Sequence, residues 1–313
     1  NLATMPALST LPSTRQLMRR ALDPYLLLGM PHLTPDGLSE TWLMKELGHR
    51  HWLMLALKLG MDDADFRTRD GEPAYAAICA TSLQNAHLDL VSANDILLFR
   101  STLRPVSHAQ FSSIHHLSVG GCPIADVELV STFVHRKIAD DNQSLTRVDC
   151  PRVVNSAFAP SELAEMAAGI RRGTLDSYLG LQWSRRPDDT STFSFMPSPF
   201  EEFNGAGLFY FAQFQALATR ALEATLARSS GRLDRRDVFF FGNVATREAI
   251  EVAVSDRSSC ESTTCCELLR HDGKVIGRVF TKSKPAQKEA CHEDGGWQKF
   301  FPEGGDGGRL GSA

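Results

Sequence analysis

The chain has 313 residues, enough for two modest domains or one large one, and its 42% hydrophobic and 22% charged residues exclude a disordered or fibrous protein. Its 33 Lys and Arg against 37 Asp and Glu give a net charge of −4, which leaves no electrostatic footprint for nucleic acid or an anionic membrane. No run of about 18 apolar residues marks a membrane span, and the opening residues lack the charged-then-apolar order of a signal peptide, so a soluble, cytoplasmic protein is expected.

Residues 1–23 carry Pro6, Pro12 and the basic pair Arg19-Arg20 and read as a flexible lead. An apolar run from Tyr25 ends in Met30-Pro31, and after Gly37 the apolar spacing predicts a helix over 38–59. Strands are expected over 74–83, 95–103, 109–119 and, beyond the Gly120-Gly121 turn, 124–134. Residues 138–189 are mixed, with a connecting helix predicted over 161–172 behind a Ser161 N-cap. A second apolar run, 192–195, leads into Met196-Pro197, and Asn204-Gly205-Ala206-Gly207 opens a helix predicted over 208–227. Strands follow over 237–244, 249–254, 263–270 and, after Asp272-Gly273, 274–282. The tail, 285–313, is rich in Gly and charge and is expected to be disordered.

The second set of elements repeats the first. Met-Pro occurs at 30–31 and 196–197, Gly-Leu at 37–38 and 207–208, and turn glycines at 121 and 273. The repeat sets two units, 24–137 and 190–284, joined by 138–189. Between Leu208 and Ala218 the second helix has no charge, and Phe209, Phe211, Phe214 and Leu217 surround its axis, so it must be enclosed. The expected fold is α+β, a double hot-dog in which two antiparallel sheets each wrap a long central helix. Such a chain imitates within itself the dimer of single units, and a further homodimer is left open. Two unrelated α+β domains are the alternative.

Seven cysteines at irregular spacing do not form a disulfide framework, and Cys265 and Cys266 on one strand point to opposite faces. His49 and His51, two apart on a helix, do not share a face as metal ligands would. No metal or cofactor is expected.

The helix entrances are the first candidates for chemistry. Thr34-Pro35-Asp36-Gly37 reads as an N-cap with Pro at the first helical position, and Asn204 as an N-cap before Gly205 and Gly207. Backbone N–H groups there, at Gly37, Leu38 and Ser39, suit the developing charge on a thioester oxygen. The glycines equally suit close helix–sheet packing. Glu40 in the first turn is favoured by the helix dipole alone. The run Gly48-His49-Arg50-His51 is polar for an enclosed helix, with His51 a supporting candidate or a packed core side chain. Tyr75 opens the strand after the first helix; a phenol becomes useful when a cation or a helix end stabilises phenolate, or as a donor to an oxyanion. It also satisfies β-propensity alone. No G-x-S-x-G elbow or phosphate-binding loop occurs.

The stretches GLSETWLMKELGHRHW (37–52), GEPAYAAICA (71–80) and FNGAGLFYFAQFQAL (203–217), with Gly29-Met30-Pro31, resemble the bifunctional acyltransferase/decarboxylase family of the leinamycin polyketide pathway. The resemblance implies a double hot-dog enzyme that takes methylmalonyl-CoA, removes CO2 and loads propionyl onto an acyl carrier protein. It implies self-acylation of a tyrosine, carried over to Tyr75, with Tyr210 second because it falls within the predicted buried helix. The implied partners are a coenzyme A thioester and an acyl carrier protein. The alternative is a hot-dog thioesterase or a non-decarboxylating acyltransferase, with Glu40, or Glu202 with Asn204, activating water or a thiol. A carrier-protein binding module without catalysis is the third reading.

Overall fold

A computed structural model describes residues 11–149, 157–183, 190–225, 231–256 and 262–285. The tail predicted beyond residue 285 lies outside them. The lead predicted to be flexible contains a helix, α1 (Thr14–Ala21), whose start Ser13 and Gln16 close with a capping box. Strand β1 (Tyr25–Leu27) and a 3-10 turn precede a tight hairpin of β2 (Leu33–Thr34) and β3 (Gly37–Leu38). Helix α2 (Glu40–Lys58) follows, then strands β4 (Tyr75–Gln84), β5 (Ile96–Pro105), β6 (Gln110–Val119) and β7 (Cys122–Arg136). Strand β8 (Leu145–Arg147) adds to β7, so the first sheet reaches past residue 137. Helix α3 (Glu162–Arg172) runs from its Ser161 cap to Gly173 in the left-handed region, and β9 (Ser177–Tyr178) pairs with β10 (Leu181–Gln182). The second unit is β11 (Ser191–Phe195), helix α4 (Phe214–Thr225), β12 (Gly231–Phe240), β13 (Ile250–Asp256), β14 (Ser262–Leu269) and β15 (Val275–Pro285).

One large antiparallel sheet carries the order β1-β5-β6-β7-β4-β12-β15-β14-β13-β11. From either outer edge inward the order is the same: the strand before the helix, the three strands of the meander, and last the strand that follows the helix. The strands that follow the helices, β4 and β12, pair at the centre over only four positions, from Leu83↔Arg236 to Ala80↔Phe239. On one side α2 buries Leu43, Met44 and Leu47 against Leu83, Leu97, Phe99 and Leu129. Helix α4 buries Phe214, Leu217 and Ala218 against Val238, Val252, Cys266 and Val279. Each such side chain contributes roughly 1.5–3 kcal/mol. Helix α3 covers the opposite side of the centre, with Leu163, Ala167 and Ile170 on Ala80, Val130, Phe239 and Cys265. Cys265 and Cys266 thus face opposite sides, as strand alternation requires.

The second central helix starts later than its composition suggests. Residues 208–210 are not helical; a 3-10 turn at Phe211–Gln213 precedes α4. The cause is Asn243, whose carboxamide accepts from the Phe209 amide at 2.9 Å and donates to the Phe209 carbonyl at 3.0 Å. A side chain from the end of β12 has taken the place of the helical partners of Phe209.

Candidate active site

Because β12 pairs with β4 only as far as Ala80, residues 75–79 have no strand partner on that side. The slot between them and residues 240–243 opens a cavity of about 700 Å3, a size that suits a small-molecule site. Helix α2 contributes Gly48, His49 and Trp52, β4 contributes Tyr75 to Cys79, and the loop before α4 contributes Asn204 to Ala206 and Leu208 to Phe211. Gly48 is required there: a Cβ on it would lie 2.6 Å from the Phe211 ring. A glycine inside a helix costs about 1 kcal/mol, and this close approach is what it permits.

Tyr75 and Asn204, from different halves, are brought to this one cavity. Arg136, two residues beyond Val134 on β7, donates from Nη1 to the Tyr75 hydroxyl at 3.2 Å and from Nη2 to the Ala206 carbonyl. Guanidinium only donates, so it occupies the acceptor side of Tyr75 Oη and leaves the phenolic proton for a ligand. Asn204 Oδ1 accepts from the Ala206 and Leu208 amides at 3.0 and 3.1 Å, and among the described residues its Nδ2 has no partner. Both side chains therefore present donors, their acceptor atoms being held by protein. Asn142 fixes the two halves relative to each other. Its Oδ1 accepts from Arg136 Nη2 at 2.7 Å, and its Nδ2 donates to the Gly207 and Val244 carbonyls, both at 2.8 Å. Nothing in the spacing of the sequence marks Arg136 or Asn142; the contacts span more than sixty residues.

Other expected site residues lie elsewhere. Gly37, Leu38 and Ser39 do not line the cavity. Thr34-Pro35-Asp36-Gly37 forms the β2–β3 turn, not a helix cap; Ser39 is the N-cap, accepting from the Trp42 amide at 3.2 Å. Gly37 has φ +107°, and a Cβ there would meet the Leu88 carbonyl oxygen at 2.1 Å, so this glycine lets the hairpin approach the 3-10 turn at Leu88–Leu90 and not a helix approach a sheet. Leu38 is buried in the first core. His51 is buried away from the cavity, with Nδ1 2.7 Å from Ser113 Oγ and Nε2 2.7 Å from Ser131 Oγ, and burial pushes its imidazole down to about 3. Arg50 in the same run pairs with Glu46 at 2.7 Å and stacks on Phe99. Only His49 of that polar stretch, with Gly48, faces the cavity.

Glu40 pairs with Arg236 of the second half at 2.6 Å; burial raises its carboxyl above the usual range, and Arg236 opposes that rise. Glu202 accepts from the Ser198 amide and, like Glu40, is not in the cavity wall. Tyr210 precedes α4 instead of lying within it and does line the cavity, its phenol pushed up to about 12 by burial and by Glu46. The Cys79 thiol is likewise pushed up to about 11 by burial, so it is held as a thiol and not a thiolate nucleophile.

No protein-family model and no curated protein sequence matches this chain. Solved structures do. The chain is similar to the 12:0-ACP thioesterase from Umbellularia californica, with a TM-score of 0.61 and 8% identity over 83% of this chain and 96% of that one. It is also similar to an acyl-ACP thioesterase from Bacteroides thetaiotaomicron, with a TM-score of 0.58 and 10% identity over 83% and 96%. At such identity the likeness establishes the fold: an α+β chain with a large antiparallel sheet, shared with these two structures.

Proposed function

We propose that this chain is a double hot-dog enzyme that hydrolyses acyl thioesters carried by coenzyme A or an acyl carrier protein, with the reacting carbonyl in the central cavity. The observation that carries the reading is that Tyr75 and Asn204, each with its acceptor oxygen held by protein and a donor left over, line one cavity. A thioester carbonyl gains negative charge as it becomes tetrahedral, and fixed donors stabilise that charge without having to reorganise. His49, in the same wall, would take the proton of an attacking water. The identical strand order of the halves supports the double hot-dog, and since one chain supplies both walls, the cavity needs no second copy. The fold shared with thioesterases supports the substrate class.

A second reading, decarboxylative transfer of a methylmalonyl-type acyl group to a carrier thiol, is favoured by a different observation. Among the described residues no Asp or Glu lines the cavity, whereas Arg147 and Arg171 do. A wall with no carboxylate base fits a reaction begun by loss of CO2, for which the same donors would hold the enolate oxygen.

Mass spectrometry of the purified enzyme with propionyl-, lauroyl- and methylmalonyl-CoA, with and without an acyl carrier protein, separates the readings. Hydrolysis releases free acid and coenzyme A whether or not the carrier is present. Propionyl on the carrier from methylmalonyl-CoA replaces that reading with the second, and no turnover of any thioester removes both. Tyr75→Phe is expected to lower kcat about 100-fold or more, the usual loss for one oxyanion donor.

A further inference from the structure

Cross-strand register assigns faces to the cavity wall. Tyr75 pairs with Val134 and Val134 with Arg147, while Ala77 pairs with Thr132, so these five residues share the side of the sheet that α3 covers. Cys79, set into that wall by a bulge between Ile78 and Ala80, and Arg171, on the last turn of α3, also line the cavity. Three features of this wall are unaccounted for by a neutral acyl group. Thr132 is 6% exposed, and among the described residues its buried Oγ1 has no hydrogen-bond partner. Among the described residues Arg147 donates only to Ser107 Oγ, at 3.1 Å, and Arg171 only to the Phe240 carbonyl, at 2.9 Å. Neither guanidinium has an acidic partner among the described residues. Both also act on one point, since each draws the Cys79 thiol pKa downward against its burial.

We infer that Arg147, Arg171 and Thr132 form an anion subsite of the central cavity, which takes a carboxylate or phosphate borne by the thioester substrate. The inference rests on the proposed thioester chemistry for the identity of the ligand. Arg147 lies two strands from Tyr75, about 10 Å at the usual strand spacing, so the anion sits apart from the reacting carbonyl. Two cations supply the charge, and the Thr132 hydroxyl supplies a buried donor that among the described residues is otherwise unsatisfied. The exposed end of Arg147 lets the anion enter from solvent. The apolar part of the cavity, with Phe211, Phe214 and Trp52, is left for uncharged portions of the ligand.

Isothermal titration with thioethers tests this, because they contain no scissile bond and report binding whether or not hydrolysis is the reaction. The S-butyl and S-(3-carboxypropyl) thioethers of N-acetylcysteamine differ by one carboxylate; S-butyl coenzyme A adds to the first the rest of the pantetheine arm, adenosine and the phosphates, so its gain is assigned to phosphate only where Arg147→Gln or Thr132→Val removes it. At least one anionic probe is expected to bind about 10-fold or more tightly than S-butyl-N-acetylcysteamine, and the one that does so identifies the source of the anion. Arg147→Gln and Thr132→Val are each expected to remove most of that preference while the neutral probe binds as before. Equal binding of all three probes, or a preference unchanged in both variants, would overturn the subsite.

Discussion

The buried histidine chain makes a prediction that depends on pH alone. Ser101 Oγ lies 2.7 Å from His115 Nδ1, His115 Nε2 lies 2.9 Å from Ser113 Oγ, and Ser113 is shared with His51, which also meets Ser131. Neutral imidazoles satisfy every link with one proton each, all pointing the same way along the chain. Burial pushes both imidazoles from 6.5 down to about 3. When unfolded they take up protons below about 6.5; when folded they do not until about 3. Their contribution to stability is therefore complete above pH 6.5 and is lost as the pH falls toward 3. At about 1.4 kcal/mol per pH unit for each group, two imidazoles over the interval from 6.5 to pH 5 forfeit about 4 kcal/mol. Since a whole domain is typically stable by only about 5–15 kcal/mol, the loss is large. Urea unfolding at half-unit steps between pH 7 and 5 measures it, and the slope is expected to correspond to an uptake approaching two protons at the low end. His115→Gln should remove about half of that slope. A slope below one proton, or one that both His115→Gln and His51→Asn leave unchanged, refutes the reasoning.

Four substitutions at three positions probe the packing, two of those positions at or beside the cavity and one remote from it. Asn142→Ala leaves the buried Val244 carbonyl without this donor and Arg136 without one of its three acceptors, so a loss of about 2–4 kcal/mol is expected in urea melts. Asn142→Asp keeps the acceptor for Arg136 but turns an oxygen toward two carbonyls, and it should not recover the loss. Gly48→Ala places a methyl against the Phe211 ring; overpacking of about 1–3 kcal/mol outweighs a helix gain of about 1, and a raised KM should accompany the lower stability. Gly37→Ala, at positive φ and against the Leu88 backbone, should destabilise by more than 2 kcal/mol, roughly, while leaving KM unchanged in whatever protein folds, because the residue is remote from the cavity.

Helix α2, the meander strands and the α3 cap were legible because each depends on neighbours in the chain: apolar period, turn glycines and the Ser161 hydroxyl reaching the Ala164 amide. The repeated order of elements was legible for the same reason, as order along the chain is a local property. Thr34-Pro35-Asp36-Gly37 was misread because the same residues favour a helix start and a tight turn, and only the contact with Leu88 separates the two. The start of α4 was misread because Leu208 to Tyr210 have every local reason to be helical, and Asn243 overrides them from more than thirty residues away.

The candidate site divides along the same line. Tyr75 stood out in the sequence as a strand-opening aromatic, whereas Asn204, read as a helix N-cap, instead closes a turn on the Ala206 and Leu208 amides well before α4. By itself the sequence determined a repeated order of strand, helix and meander, because apolar spacing and turn glycines are local properties of the chain. The tertiary structure alone decided that β4 and β12 separate after four pairs, that Arg136 and Asn142 tie Tyr75 to the loop of the other half, and that His51 belongs to the core. Those outcomes depend on contacts between distant segments, and such contacts leave no periodic trace along a single chain.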